Sequence, residues 1–193
     1  MSAAAVGRHS WRMRPTAALV VLAAALTAAP LLAAEKPGRQ TERAFLAEAA
    51  RGNALEQELG RLATRRSENK RVKAFGRRML DDHTKLESQL KGVAQKEGVS
   101  LPTRLSEDQR KQVDRLSKLR GADFDREYIS MMVHDHEEDV GKFHDKAENA
   151  ADPAVKSLAS QALPTLQSHL QEARDIKSSL SRATSGVPGT GLH

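Results

Sequence analysis

The sequence predicts an all-α protein in which four amphipathic helices form two antiparallel hairpins, joined by a long crossover between helices two and three. Three observations carry this expectation. From Thr41 onward apolar residues recur three and four apart, and no segment alternates as a strand does. The gaps between helices one and two and between three and four are short, whereas about 25 residues, Gly98 to Asp123, separate helices two and three. The composition, 39% apolar and 29% charged, is globular, and with only 3% aromatics the core has to be built from Leu, Ala, Val and Met.

The first 34 of the 193 residues stand apart. Arg8, Arg12 and Arg14 precede the run "TAALVVLAAALTAAPLLAA", which reads as a secretory signal cut after Ala34. A retained anchor is the alternative, although the run holds Pro30 and falls short of the ~20 apolar residues a spanning helix needs. Cutting removes three of the 31 Lys and Arg and none of the 25 acids, leaving 28 against 25. That mixed charge does not point to nucleic acid. With no cysteine, disulfides and thiolate metal sites are excluded, so any chemistry belongs to carboxylates and imidazoles.

Helix one is expected from Thr41, as its N-cap, to about Ala63, with Phe45, Ala49, Gly52, Glu56, Leu59 and Ala63 along its seam. Helix two starts near Ser67 and carries Val72, Phe75, Met79, His83, Leu86, Leu90 and Val93 before Gly98 stops it. In the crossover, Ser106 and Gln109 form a capping box for a short helix ending near Gly121. Helix three presents Phe124, Tyr128, Met132, His136, Val140, Phe143 and Ala147. Helix four takes Asp152 as cap and Pro153 as first residue, with a seam from Val155 through His169 to Leu180. The domain is thus expected over residues 41–181, with a disordered tail over 182–193.

Two hairpins joined by such a crossover describe the ferritin-like version of the four-helix bundle. Helices two and three are then parallel. His83 lies about 15 residues into its helix and His136 about 13 into its own, so at ~1.5 Å per residue they stand within about 3 Å of one depth. Glu56 and His169 also lie near their helix midpoints. One glutamate and three histidines converge on a central layer.

The segments "FLAEAARGNALEQELGRLA", "VKAFGRRMLDDH", "FDREYISMMVHDHEEDV" and "LASQALPTLQSHL" resemble, in that order, an exported bacterial ferritin-like family of unknown function, often labelled predicted outer membrane protein. The resemblance covers Phe45 to Arg174. It implies an exported helical bundle and carries no established reaction, while the chain shows neither a β-barrel pattern nor a lipid-attachment cysteine. The Glu-x-x-His motif of di-iron ferritin-like proteins is missing, because Leu80, Val133 and Leu166 stand three residues before the histidines.

Two readings of the central layer stand side by side. In the first, Glu56, His83, His136 and His169 are ligands to a divalent metal (Zn, Cu, Mn or Fe), with Asp82 and Asp135 either orienting imidazoles or serving as extra ligands. Each aspartate points about 100° around its helix from the adjacent histidine, so each is better placed to hold a neighbouring helix's histidine than its own. In the second, the same residues are a metal-free polar layer that hydrogen-bonds internally and fixes helix register. His134 and His144 are expected to face solvent, and Met79 and Met132 to pack in the core. The functions that follow are metal handling or stress protection in the envelope, a structural or interaction module, or, last for want of bridging carboxylates, a redox enzyme.

Overall fold

Proline opens two of the five helices that the computed structural model contains over the described residues 37–184. These are α1 (Pro37–Arg66), α2 (Lys70–Lys96), α3 (Glu107–Ser117), α4 (Gly121–Asn149) and α5 (Pro153–Thr184), and no strand occurs among the described residues. The expected leader, and the expected tail beyond Thr184, lie outside the described residues. Pro37 takes the first helical position, where its missing N–H has no intrahelical acceptor to lose. α1 therefore starts four residues before Thr41. Thr41 is not its cap, and its Oγ1–H donates back to the Gly38 carbonyl at 2.7 Å.

The other boundaries follow similar local chemistry. Asn69, not Ser67, caps α2 by accepting the N–H groups of Arg71 and Val72. Ser67 is turned inward, where its Oγ–H donates to the buried Asp125 carboxylate at 2.6 Å and ties the α1–α2 turn to α4. Ser106 and Gln109 close a reciprocal capping box on α3. α4 begins at Gly121, three residues before Phe124, and Gly121 has a φ of 52°, which only glycine adopts without strain. Asp152 accepts the N–H groups of Ala154 and Val155 at the start of α5, which continues to Thr184, three residues into the segment expected as tail.

α1 lies against α2 and α4, and α5 lies against α4 and α2. Cross-helix partners show the directions. Arg43 reaches Gly98 while Asn53 reaches His83, so α1 and α2 are antiparallel. Glu48 pairs with Lys142 and Glu56 with His136, so α1 and α4 are antiparallel too. The short helix α3, between α2 and α4 in sequence, is held by the fully buried Leu116 and by Gln109, whose amide donates to the Arg51 carbonyl.

Two apolar clusters fill the interior. One gathers Leu59, Phe75, Phe124, Tyr128, Met132 and Ile176 toward the α1–α2 turn. The other gathers Leu46, Leu90, Phe143, Val155 and Leu166 toward the far end, where Phe45 and Phe143 meet edge to face at 5.1 Å. Where the two clusters meet, α2, α4 and α5 each bury one histidine (His83, His136 and His169), and α1 buries Asn53, Glu56 and Gln57. α1 and α2 come closest where a Cβ on Gly60 would meet the Gly76 carbonyl oxygen at 2.8 Å. No helix among the described residues is long and apolar enough to cross a membrane.

Candidate metal centre

The three imidazoles form a near-equilateral triangle, with ring centroids 5.4, 5.5 and 5.6 Å apart. One ring nitrogen from each lies within 4.8 Å of one from each of the others. His83, His136 and His169 are at most 1% exposed. Each uses one nitrogen on the protein and leaves the other buried without a hydrogen-bond partner: Nε2 of His83, Nε2 of His136 and Nδ1 of His169.

The partnered nitrogens determine the tautomers. His136 Nδ1 lies 3.0 Å from the Met132 carbonyl oxygen, which can only accept, so Nδ1 carries the proton. His169 Nε2 donates to Asp82 Oδ2 at 3.1 Å, and His83 Nδ1 faces two oxygens, Asn53 Oδ1 at 3.0 Å and Glu56 Oε2 at 3.2 Å, which favours the proton on Nδ1. In the neutral rings the three unpartnered nitrogens are therefore lone pairs. Burial keeps the rings neutral. It lowers His83 well below the usual imidazole value, with repulsion from His136 and His169 adding to it. It lowers His136 to about 3 and lowers His169 despite the opposing Asp82 bond. Three buried lone pairs with no donor each cost about 1–3 kcal/mol. A cation among them converts that cost into ligation.

Glu56 does not sit among these nitrogens. Its Oε2 and Oε1 lie 3.2 and 3.1 Å from Nδ1 of His83 and His136, on the opposite side of both rings from the unpartnered Nε2 atoms. Glu56 thus stands against the Nδ1 edges of His83 and His136, beside the group of three histidines whose ring nitrogens lie within 4.8 Å of one another. Burial raises its pKa well above the ordinary carboxylate value, and the nearby charges of Asp139 and Asp135 raise it further. Asp82 takes the histidine of another helix, His169. Burial raises Asp82, but hydrogen bonds from Lys85 and His169 outweigh this and hold its pKa below the usual value.

Asp135 orients no histidine. It lines an acidic cleft of about 250 Å³ between α1 and α4 with Asp139, Glu138, Lys142 and the edge of Glu56. Burial raises both Asp135 and Asp139 to about 6. His134 is exposed and sits 3.4 Å from Glu138, His144 is exposed, and Met79 and Met132 are fully buried in the core. Sequence reasoning missed Asn53, Gln57 and the Met132 carbonyl. Asn53 and Gln57 flank Glu56 on α1, and Gln57 ties the His83 carbonyl to Glu87 at 3.3 and 3.1 Å. Asn53, a polar residue one turn before Glu56, was the legible signal. A larger cavity of about 700 Å³ beneath residues 99–105 meets the layer only through Asn53.

A buried three-imidazole cluster in a helical bundle defines a class of protein without defining a reaction. The chain belongs to the DUF4142 family, a domain of unknown function whose model matches residues 27–176. That family description carries no function, and nothing in it supports an outer membrane label. Among curated proteins none matches the chain. Its fold is similar to that in the crystal structure of a DUF305 fragment from Deinococcus radiodurans, with a TM-score of 0.62 and 19% identity over 76% of this chain and 97% of that one.

Proposed function

We propose that the protein is an exported metal-binding bundle of the ferritin-like four-helix type, with the segment between α2 and α4 as its crossover, acting in metal handling or stress protection at the cell envelope. The observation that carries this reading is the set of three buried imidazoles with ring nitrogens within 4.8 Å of one another, each with one nitrogen held by the protein and the other without a partner. Orientation of a ligating imidazole through its second nitrogen is the arrangement metal sites use. Export rests on the leader-like run ahead of Glu35.

An all-nitrogen donor set favours Zn or Cu, with Fe behind and Mn, which prefers oxygen donors, last. Zn–N bonds of ~2.0–2.1 Å place tetrahedral ligand nitrogens about 3.3 Å apart, so the cluster tightens by at most about 1.5 Å per pair on loading. The acidic residues of the α1–α4 cleft are not required as ligands. Titration calorimetry of the purified chain without a His-tag, using Zn and Cu, tests the reading. Wild type and His134→Ala should bind one equivalent, and His83→Ala should lose at least ~100-fold in affinity. Equal heats from wild type and His83→Ala would leave the layer a metal-free polar spacer.

A further inference from the structure

Three protein nitrogens do not complete the shell of a four-coordinate ion, and the residue expected to supply the fourth ligand faces elsewhere. Glu56 approaches the Nδ1 edges of His83 and His136, while the unpartnered nitrogens of those rings are Nε2. The two nitrogens of an imidazole direct their lone pairs away from each other across the ring, so an ion on the Nε2 side is out of Glu56's reach. Asp82 is likewise engaged with His169 Nε2, the nitrogen opposite the unpartnered Nδ1.

The cluster is buried, but a surface cleft borders it. A cleft of about 130 Å³ opens between α2 and α5 and has both His83 and His169 on its wall. Their rings lie nearly parallel, 28° apart, while His136 takes no part in the lining. Leu86, Ala162 and Leu166 form the aliphatic part of its wall, Asp82 and Lys85 put an anion and a cation on it, and Gln89 and Thr165 flank it on the two helices as exposed side chains. Taking a water as about 30 Å³, the cleft has room for a molecule of about three or four heavy atoms.

We propose that the bound ion keeps its fourth position open toward this cleft, where it takes a small monodentate ligand: solvent, or a compact anion entering from outside. The inference rests on the metal reading above and adds to it an accessible coordination site, as in zinc centres with three protein ligands and one exchangeable position. A closed four-ligand structural site would accept nothing further. The aliphatic part of the wall admits a small donor and excludes a bulky one.

Cobalt(II) substitution with sodium azide as the probe tests this. Azide should change the visible absorption bands of the Co(II)-loaded wild type saturably. In Thr165→Trp, and independently in Gln89→Trp on the opposite wall, the indole fills the cleft. Both variants should retain one equivalent of Co(II) with affinity within about threefold, while apparent azide affinity falls at least ~10-fold. A Co(II) spectrum that azide leaves unchanged in wild type overturns the open position. An azide response of equal strength in both variants overturns the cleft as its route. Failure of wild type to take up Co(II) overturns the metal reading itself, a result distinguishable from either.

Discussion

The Asp82 carboxylate of α2 accepts the Nε2–H of His169 of α5 at 3.1 Å, and Lys85 and Arg78 hold the same carboxylate at 2.9 and 3.5 Å. This bond fixes the His169 tautomer and leaves Nδ1 as the unpartnered nitrogen. Asp82→Ala should therefore weaken metal binding by about 10–100-fold, with Asp82→Asn recovering part of the loss because its carbonyl oxygen still accepts. Calorimetry of the three proteins decides it, and an Asp82→Ala that binds as tightly as wild type removes the positioning role.

Glu56 behaves differently from the histidines in this account. Because it lies on the Nδ1 edges of His83 and His136, Glu56→Gln should leave the affinity within about tenfold of wild type, whereas each histidine-to-alanine change loses at least ~100-fold. A loss in Glu56→Gln as large as in His136→Ala would return Glu56 to the ligand set.

Stability should depend on pH through groups of opposite sign. The histidines have folded pKa values below the ordinary 6.5, so the unfolded chain binds their protons first and the metal-free protein loses stability as pH falls below about 6.5. Asp139 has a folded pKa of about 6 against an ordinary 3.8, raised mainly by burial, so its ionisation lowers stability as pH rises from 3.8 through 6. Asp139→Asn should thus melt higher than wild type at pH 8, with the difference closing as pH falls below 3.8, where both states of wild type become protonated. Melting curves across that range test the sign, and a difference that shrinks as pH rises contradicts it.

Gly60 and Gly76 allow the α1–α2 approach that aligns Asn53 and Glu56 with His83. A Cβ on Gly76 would meet Ala63 Cβ at 2.9 Å and the Gly60 carbonyl at 3.0 Å. Gly76→Ala should destabilise by about 1–3 kcal/mol through overpacking, more than offsetting the ~1 kcal/mol that alanine gains in a helix. Urea denaturation measures this, and an Ala variant more stable than wild type would show that the helices separate freely.

Much of this was legible because helical periodicity reports which face a residue occupies. The seam placed His83, His136 and His169 inward, and the capping patterns at Ser106 and Asp152 marked two helix starts correctly. Periodicity does not report which atom of a side chain points where. Glu56 lay on the right face yet serves the N–H edges of two rings. Asp135 lay at the same offset from its histidine as Asp82 and ended in a separate cleft, because α4 presents it toward α1 rather than toward another histidine. Ser67 and Asn69 are both good caps, and only the tertiary pairing of Ser67 with Asp125 leaves the cap to Asn69.

Anomalous diffraction from crystals of the Zn- or Co-loaded protein tests the central claim most directly. The account predicts a single strong peak inside the bundle, ~2.0–2.1 Å from Nε2 of His83, Nε2 of His136 and Nδ1 of His169, with Glu56 and Asp82 still on the opposite nitrogens. Peaks confined to the surface, in the acidic cleft beside Asp135 and Asp139, or bound through Glu56 would contradict it.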